Sequence, residues 1–236
     1  MKRNLTLILF CLGLLPSLTA CADRYPPAYS AEAITATVID ADTRKPLAGV
    51  VVTANWQLLG GMEGNYPVGQ LEVLETVTDA NGRFHFPAWG PKKRPKGYLR
   101  EDDPQLLLFK PGYEYRRLAN EVSSRINYDS VRRSVWNGKT IELKRFRGTM
   151  EAYENQFELL NGALGHIVAD GPEECYWKKL PNTIRAMNRE RLRLVARGVN
   201  PHTLSTVDKR LLMNDEYFTK KGGCGSPKQF FGDIRP

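Results

Sequence analysis

The sequence has 236 residues, of which 42% are apolar and 25% charged. This excludes a solvating, disordered polymer as a description of the whole chain and leaves enough apolar material for one large domain or two small ones. The formal net charge is +8, and without Lys2 and Arg3 of a cleavable leader 32 basic residues face 26 acidic ones, a net of +6. That excess suits an anionic surface, and charge alone does not separate lipid head groups or acidic glycans from nucleic acid.

Met1-Lys2-Arg3 is a basic start, Leu5 to Leu15 is an apolar run too short to span a bilayer, and Pro16-Ser17 ends it. This is the layout of a secretory signal. The next four residues, Leu18-Thr19-Ala20-Cys21, resemble a bacterial lipobox. Resemblance to bacterial lipoproteins implies cleavage before Cys21, a diacylglycerol thioether on its thiol and an acylated amino terminus. Each acyl chain adds about 0.8 kcal/mol per buried CH₂, so two or three chains anchor firmly. The alternative is an ordinary signal peptide with a chance cysteine. Ala22 stands where an aspartate often marks inner-membrane retention, so an outer-membrane anchor facing the periplasm is expected. Residues 1–20 are then leader and 21–32 a lipidated tether, and the secretory route sets nucleic acid aside as a partner.

Of the four cysteines, Cys11 leaves with the leader and Cys21 carries lipid, so Cys175 and Cys224 remain as an even pair in an oxidising compartment. A disulfide between them closes a loop of about 50 residues, worth roughly 4 kcal/mol in the chain-entropy model.

Alternating and β-branched runs predict strands at 33–39, 50–56, 73–78, 83–86, 106–109 and 140–143. Asp79-Ala80-Asn81-Gly82 predicts a hairpin turn that pairs 73–78 with 83–86, because Asn-Gly tolerates positive φ. The Gly-rich stretch 60–65 reads as a loop with Pro67 and Gly69 beyond it. Two long excursions, 87–104 and 114–138, interrupt the strand spacing. From Thr149 the apolar period changes: Phe157, Leu160 and Leu164 share one helical face. Pro181 to Arg197 reads as a second helix ended by Gly198. Asn200-Pro201 reads as the cap of a third helix bearing Leu204, Val207 and Leu211, with a loose tail from Lys220 except at Cys224.

Three segments together resemble the bacterial carboxypeptidase regulatory-like domain. They are Thr37 to Val52, containing Pro46-Leu47-Ala48-Gly49; Thr76 to Phe84, containing Thr78-Asp79-Ala80-Asn81-Gly82-Arg83-Phe84; and Leu106 to Tyr113, ending Lys110-Pro111-Gly112-Tyr113. The resemblance covers about residues 33–145 and implies a transthyretin-like, seven-stranded antiparallel β-sandwich over 33–148, with Phe84 and Tyr113 in its core. It implies no catalytic residues, and it leaves the helical region 149–236 unaddressed, including whether that region packs on the sandwich or stands alone. The expected fold is therefore mostly β, a transthyretin-like sandwich followed by about three helices.

Motifs for chemistry are missing. The residues three beyond His85, His166 and His202 are Ala88, Ala169 and Ser205, so no zinc-peptidase pair exists. There is no G-x-S-x-G elbow and no phosphate-cradling loop. No metal or cofactor is expected, and the Asp79–Gly82 turn reads as structural rather than as a calcium site. Trp89, Tyr98 and Trp136 lie in or beside the excursions and are the candidate ligand-binding residues, because exposed rings stack on sugars or anchor partners. Lys92-Lys93-Arg94 and Arg185, Arg189, Arg191, Arg193 and Arg197 read as solvated faces. The expected function is a non-catalytic envelope lipoprotein that engages a protein partner. A module for cell-wall or surface glycan is the alternative.

Overall fold

The computed structural model describes residues 25–61, 66–100, 102–120, 129–168, 175–220 and 223–234. Its strands are β1 (Ala28–Ala31), β2 (Ile34–Asp40), β3 (Val51–Gly60), β4 (Tyr66–Val77), β5 (Arg83–Phe86), β6 (Trp89–Lys93), β7 (Tyr98–Leu99), β8 (Gln105–Phe109), β9 (Arg116–Leu118), β10 (Val131–Arg132) and β11 (Thr140–Leu143). The helices are α1 (Met150–Val168), α2 (Pro181–Ala196), α3 (Val207–Met213), α4 (Asp215–Lys220) and α5 (Pro227–Phe230), with a 3-10 turn at Tyr176–Lys179. The fold is mostly β, with the helices in the C-terminal part.

Among the described residues three sheets form, in the orders β10-β1-β6, β11-β2-β5 and β4-β3-β8-β9, with β7 also paired to β3. The first two face the third across one core of Tyr29, Ile34, Val38, Val52, Trp56, Phe84, Phe86, Leu106, Leu108 and Ile141. Most pairings are antiparallel, but β1–β10 and β2–β11 are parallel. The expected antiparallel, seven-stranded sandwich is thus a mixed one, with short strands drawn from both excursions.

Two local readings change. Residues 28–31, read as tether, form the central strand of the first sheet because Tyr29 and Ala31 alternate into the core. The Asp79–Gly82 turn joins no hairpin, since β5 pairs with β2 while β4 pairs with β3. It carries the chain from one sheet to the other. Asp79 Oδ1 accepts from the backbone N–H groups of Asn81 and Arg83. Gly82, at φ 69°, packs so closely that a Cβ would stand 2.3 Å from the Val38 carbonyl oxygen. Only glycine fits there.

The helices cover the outer face of the β4-β3-β8-β9 sheet. Val51, Val73, Leu107 and Phe109 on that face share a second core with Phe157, Leu160, Leu164, Ile184, Met187, Leu194 and Leu211. β3 is therefore buried along both faces: Val52, Ala54, Trp56 and Leu58 enter the sandwich, and Val51, Thr53, Asn55 and Gln57 lie under the helical layer. The molecule has three layers, sheets, sheet and helices.

The third helix begins at Val207 rather than at Pro201. Asn200 caps only a turn, accepting from His202 N. The helix start is taken by Asn161 of α1, whose Oδ1 accepts from Val207 N at 2.7 Å while its Nδ2 donates to Ser205 O. A side chain from another helix thus satisfies an N-terminal donor. The tail is ordered by Trp177, ringed by Phe218, Phe230 and Phe231, and Ser226 caps α5. Among the described residues there are five α-helices, where the sequence predicts about three.

Candidate functional site

Cys175 and Cys224 form a disulfide, with Cα atoms 5.4 Å apart. It ties the segment before the 3-10 turn to the one before α5. Cys21 and the leader lie outside the described residues.

The three candidate ring residues are carried by separate elements, and each contacts its own chain. Trp89 meets Trp56 edge-on at 5.1 Å. Tyr98 stacks on Tyr25 at 4.1 Å with rings 6° apart. Trp136 donates its indole N–H to Ala119 O at 3.0 Å and packs against the sandwich core. His85 is exposed and pairs with the Thr35 hydroxyl, and His202 is exposed. Among the described residues no group of three His, Cys, Asp or Glu side chains could hold a metal ion, and no helix is long and apolar enough to cross a membrane.

The basic clusters are not simply solvated. Arg191 is buried and its Nε donates to Asp208 Oδ2 at 2.9 Å, with Asn188 on the same oxygen. Buried charge requires such pairing. Arg185 pairs with Asp233. Lys92 and Lys179 converge on the buried carboxylate of Glu72, which also accepts from Val73 N. Burial and the nearby Lys179 lower the Lys92 ammonium. Arg94 holds the N-terminal segment through Pro26 O.

Of the concavities among the described residues, two combine charged or amide side chains with apolar surface between the sandwich and the helices. The larger, about 480 Å³, lies where the Lys110–Tyr113 turn meets α1 and the end of α2. Its rim combines Phe146, Met150 and Tyr153 with Arg193 and Arg197. Arg193 is held by Glu190 and lies over the Tyr153 ring at 5.6 Å. Tyr153 accepts from Gly112 N at 3.0 Å. Burial and a hydrogen bond to Glu190 keep its phenol protonated, pushing its pKa up to about 12. Arg197 is exposed and has no partner among the described residues. The cleft can take an anionic group against apolar surface. Arg193 and Arg197 were visible in the sequence only as basic residues of a helix end. That α2 points this end at the sandwich turn is a tertiary fact.

The smaller concavity, about 60 Å³, is a partly open slot between the outer sheet face and α1, with the exposed Arg117 among its lining residues. Asn55, Gln57, Gln105 and Arg117 line it from the sheet, and Ala163 and Ile167 from the helix. Arg117 Nε donates to Gln105 Oε1 at 2.9 Å. A signal for these residues exists in the sequence, namely amides alternating with apolar residues in β3, and it was indistinguishable from an ordinary solvent face.

Neither a protein-family model nor a curated protein matches the sequence. Partial similarity to solved structures exists. A 3-chlorocatechol 1,2-dioxygenase from Rhodococcus opacus 1CP is 17% identical, with 52% of this chain aligned to 63% of that one at a TM-score of 0.31. For catechol 1,2-dioxygenase from Pseudomonas arvilla C-1 the values are 13%, 53%, 55% and 0.29. For the shaft pilin SpaA from Lactobacillus rhamnosus GG they are 12%, 52%, 47% and 0.24. The alignment spans less than two thirds of each of these chains. At such values the similarity assigns no activity.

Proposed function

We propose that this chain is an envelope lipoprotein, anchored through Cys21 in the outer membrane and facing the periplasm. Its carboxypeptidase regulatory-like sandwich and its helical layer act together as a non-catalytic module for a protein partner. The observation that carries the interaction role is the cleft between the Lys110–Tyr113 turn and α2, where Arg197 has no partner among the described residues. An acidic segment flanked by apolar residues is the complementary chemistry. The anchor rests on Leu18-Thr19-Ala20-Cys21 behind an apolar leader. A glycan-binding role stands second, since Trp89, Tyr98 and Trp136 each contact their own chain. Wall-material sedimentation that falls on Trp89→Ala and Trp136→Ala would reverse that order.

Two measurements test the proposal. Cells fed an alkyne-bearing fatty acid should label the wild-type chain and not Cys21→Ser, which should leave the membrane fraction. Labelling of the Ser variant removes the anchor. A photo-crosslinker at Met150 should yield a discrete envelope-protein adduct that Arg197→Glu suppresses. A wild-type chain with no adduct, or an adduct indifferent to Arg197→Glu, removes the cleft as the interface.

A further inference from the structure

The slot beneath α1 holds three sheet amides, Asn55, Gln57 and Gln105, of which Asn55 donates to Gln70. Gln105 is only 6% exposed, and its carboxamide nitrogen has no hydrogen-bond partner among the described residues. Its orientation is fixed by Arg117, because a guanidinium has donors only and must face the amide oxygen. The group left over is therefore a donor. The remaining N–H groups of Arg117 are donors too, and among the described residues Arg117 pairs with no carboxylate. A buried donor without an acceptor is costly, so Gln105 Nε2 asks for an acceptor, and the positive charge of Arg117, which is exposed beside it, favours an anionic one. The opposite wall is aliphatic, formed by Ala163 and Ile167 of α1, and Leu107 lies beside Gln105 on the sheet. At about 60 Å³ the space holds only a few non-hydrogen atoms.

We infer that this slot binds a free short-chain monocarboxylate, its carboxylate on Gln105 Nε2 and Arg117 and its alkyl stub against Ala163 and Ile167. The small volume, about 60 Å³, favours a free short acid over the end of a longer chain. The site is separate from the cleft proposed as the partner interface.

The test uses the full chain in detergent with nitrogen-15 labelling, reading the Gln105 side-chain amide during titration with propionate. A saturable shift is expected with propionate and none with propionamide or sodium chloride at matched concentration. Arg117→Gln should weaken binding by about tenfold or more, as removal of a charged hydrogen-bond partner does. Ala163→Leu, which fills the slot, should abolish it. Gln105→Leu should abolish the response of neighbouring backbone amides, and if that variant fails to fold the other two still decide. A Gln105 amide that ignores propionate, or answers propionamide equally, overturns the inference and leaves a slot that holds water alone. Equal binding of N-acetyl-alanyl-alanine overturns the selection for a free acid.

Discussion

The carboxylate of Asp40 accepts from the backbone N–H groups of Asp42 and Thr43 and from the Tyr113 hydroxyl at 2.8 Å, and Arg145 closes an ion pair on it. One side chain thus fixes the turn after β2 and joins it to the turn after β8. These hydrogen bonds, the one from Thr43 first, hold its pKa well below the ordinary carboxylate range. The folded state therefore binds the proton less readily than the unfolded one, and stability contributed near neutral pH is lost as pH falls below about 4. Asp40→Asn should be less stable than wild type near neutrality, and the gap should narrow in acid denaturation series. Asp103 is the reverse case. It is fully buried, its Oδ1 has no partner among the described residues, and burial raises its pKa well above the usual value. The native state keeps this proton while the unfolded state releases it, so its contribution is complete below about pH 4 and declines as pH rises. Asp103→Asn should accordingly be more stable than wild type near neutrality and equal to it in acid, measured by urea titration at each pH.

At the scale of elements, most strands and the first two helices were legible because their apolar periods are clean. What the periods could not supply was partnership. The turn at Asp79–Gly82 has the chemistry of a hairpin, yet β5 leaves β4 for β2 because Phe84 and Phe86 fill the core between the sheets. Local chemistry fixes the reversal and burial chooses the partner strand. The α1 helix shows the same division. Leu160 is buried among the outer-face residues of the sheet, while its neighbour Leu159 is 65% exposed. Leu160→Ala should cost about 2–4 kcal/mol through the cavity it leaves. Leu159→Ala should change stability by no more than about 0.5 kcal/mol. Equal effects in denaturant titration would contradict the packing of α1 on this sheet.

For the whole molecule, the central sheet is shared property. Its inner face closes the sandwich, and its outer face lies under helices braced by the Cys175–Cys224 disulfide. A chain ending at Gly148 would expose Val51, Val73, Leu107 and Phe109 together, a patch of the kind that drives association. Such a fragment should aggregate or bind a hydrophobic dye strongly, and the full chain should unfold in a single transition seen alike by sandwich and helix probes. A soluble, dye-silent fragment would show that the two cores are independent.

The sequence by itself determined the strand-rich first part, the helical second part, the candidate disulfide pair and the turn residues, because each depends on neighbours a few positions away or on a count of thiols. It also held the expected anchor at Cys21. Tertiary structure alone decided that the helices cover one sheet face, that Thr53, Asn55 and Gln57 are buried rather than solvated, and that Arg117 meets Gln105 beneath α1. An amide alternating with apolar residues looks the same in a strand whether water or a helix lies above it. Only the folded chain supplies the covering layer, and with it the loss of solvent that turns a surface amide into a binding group.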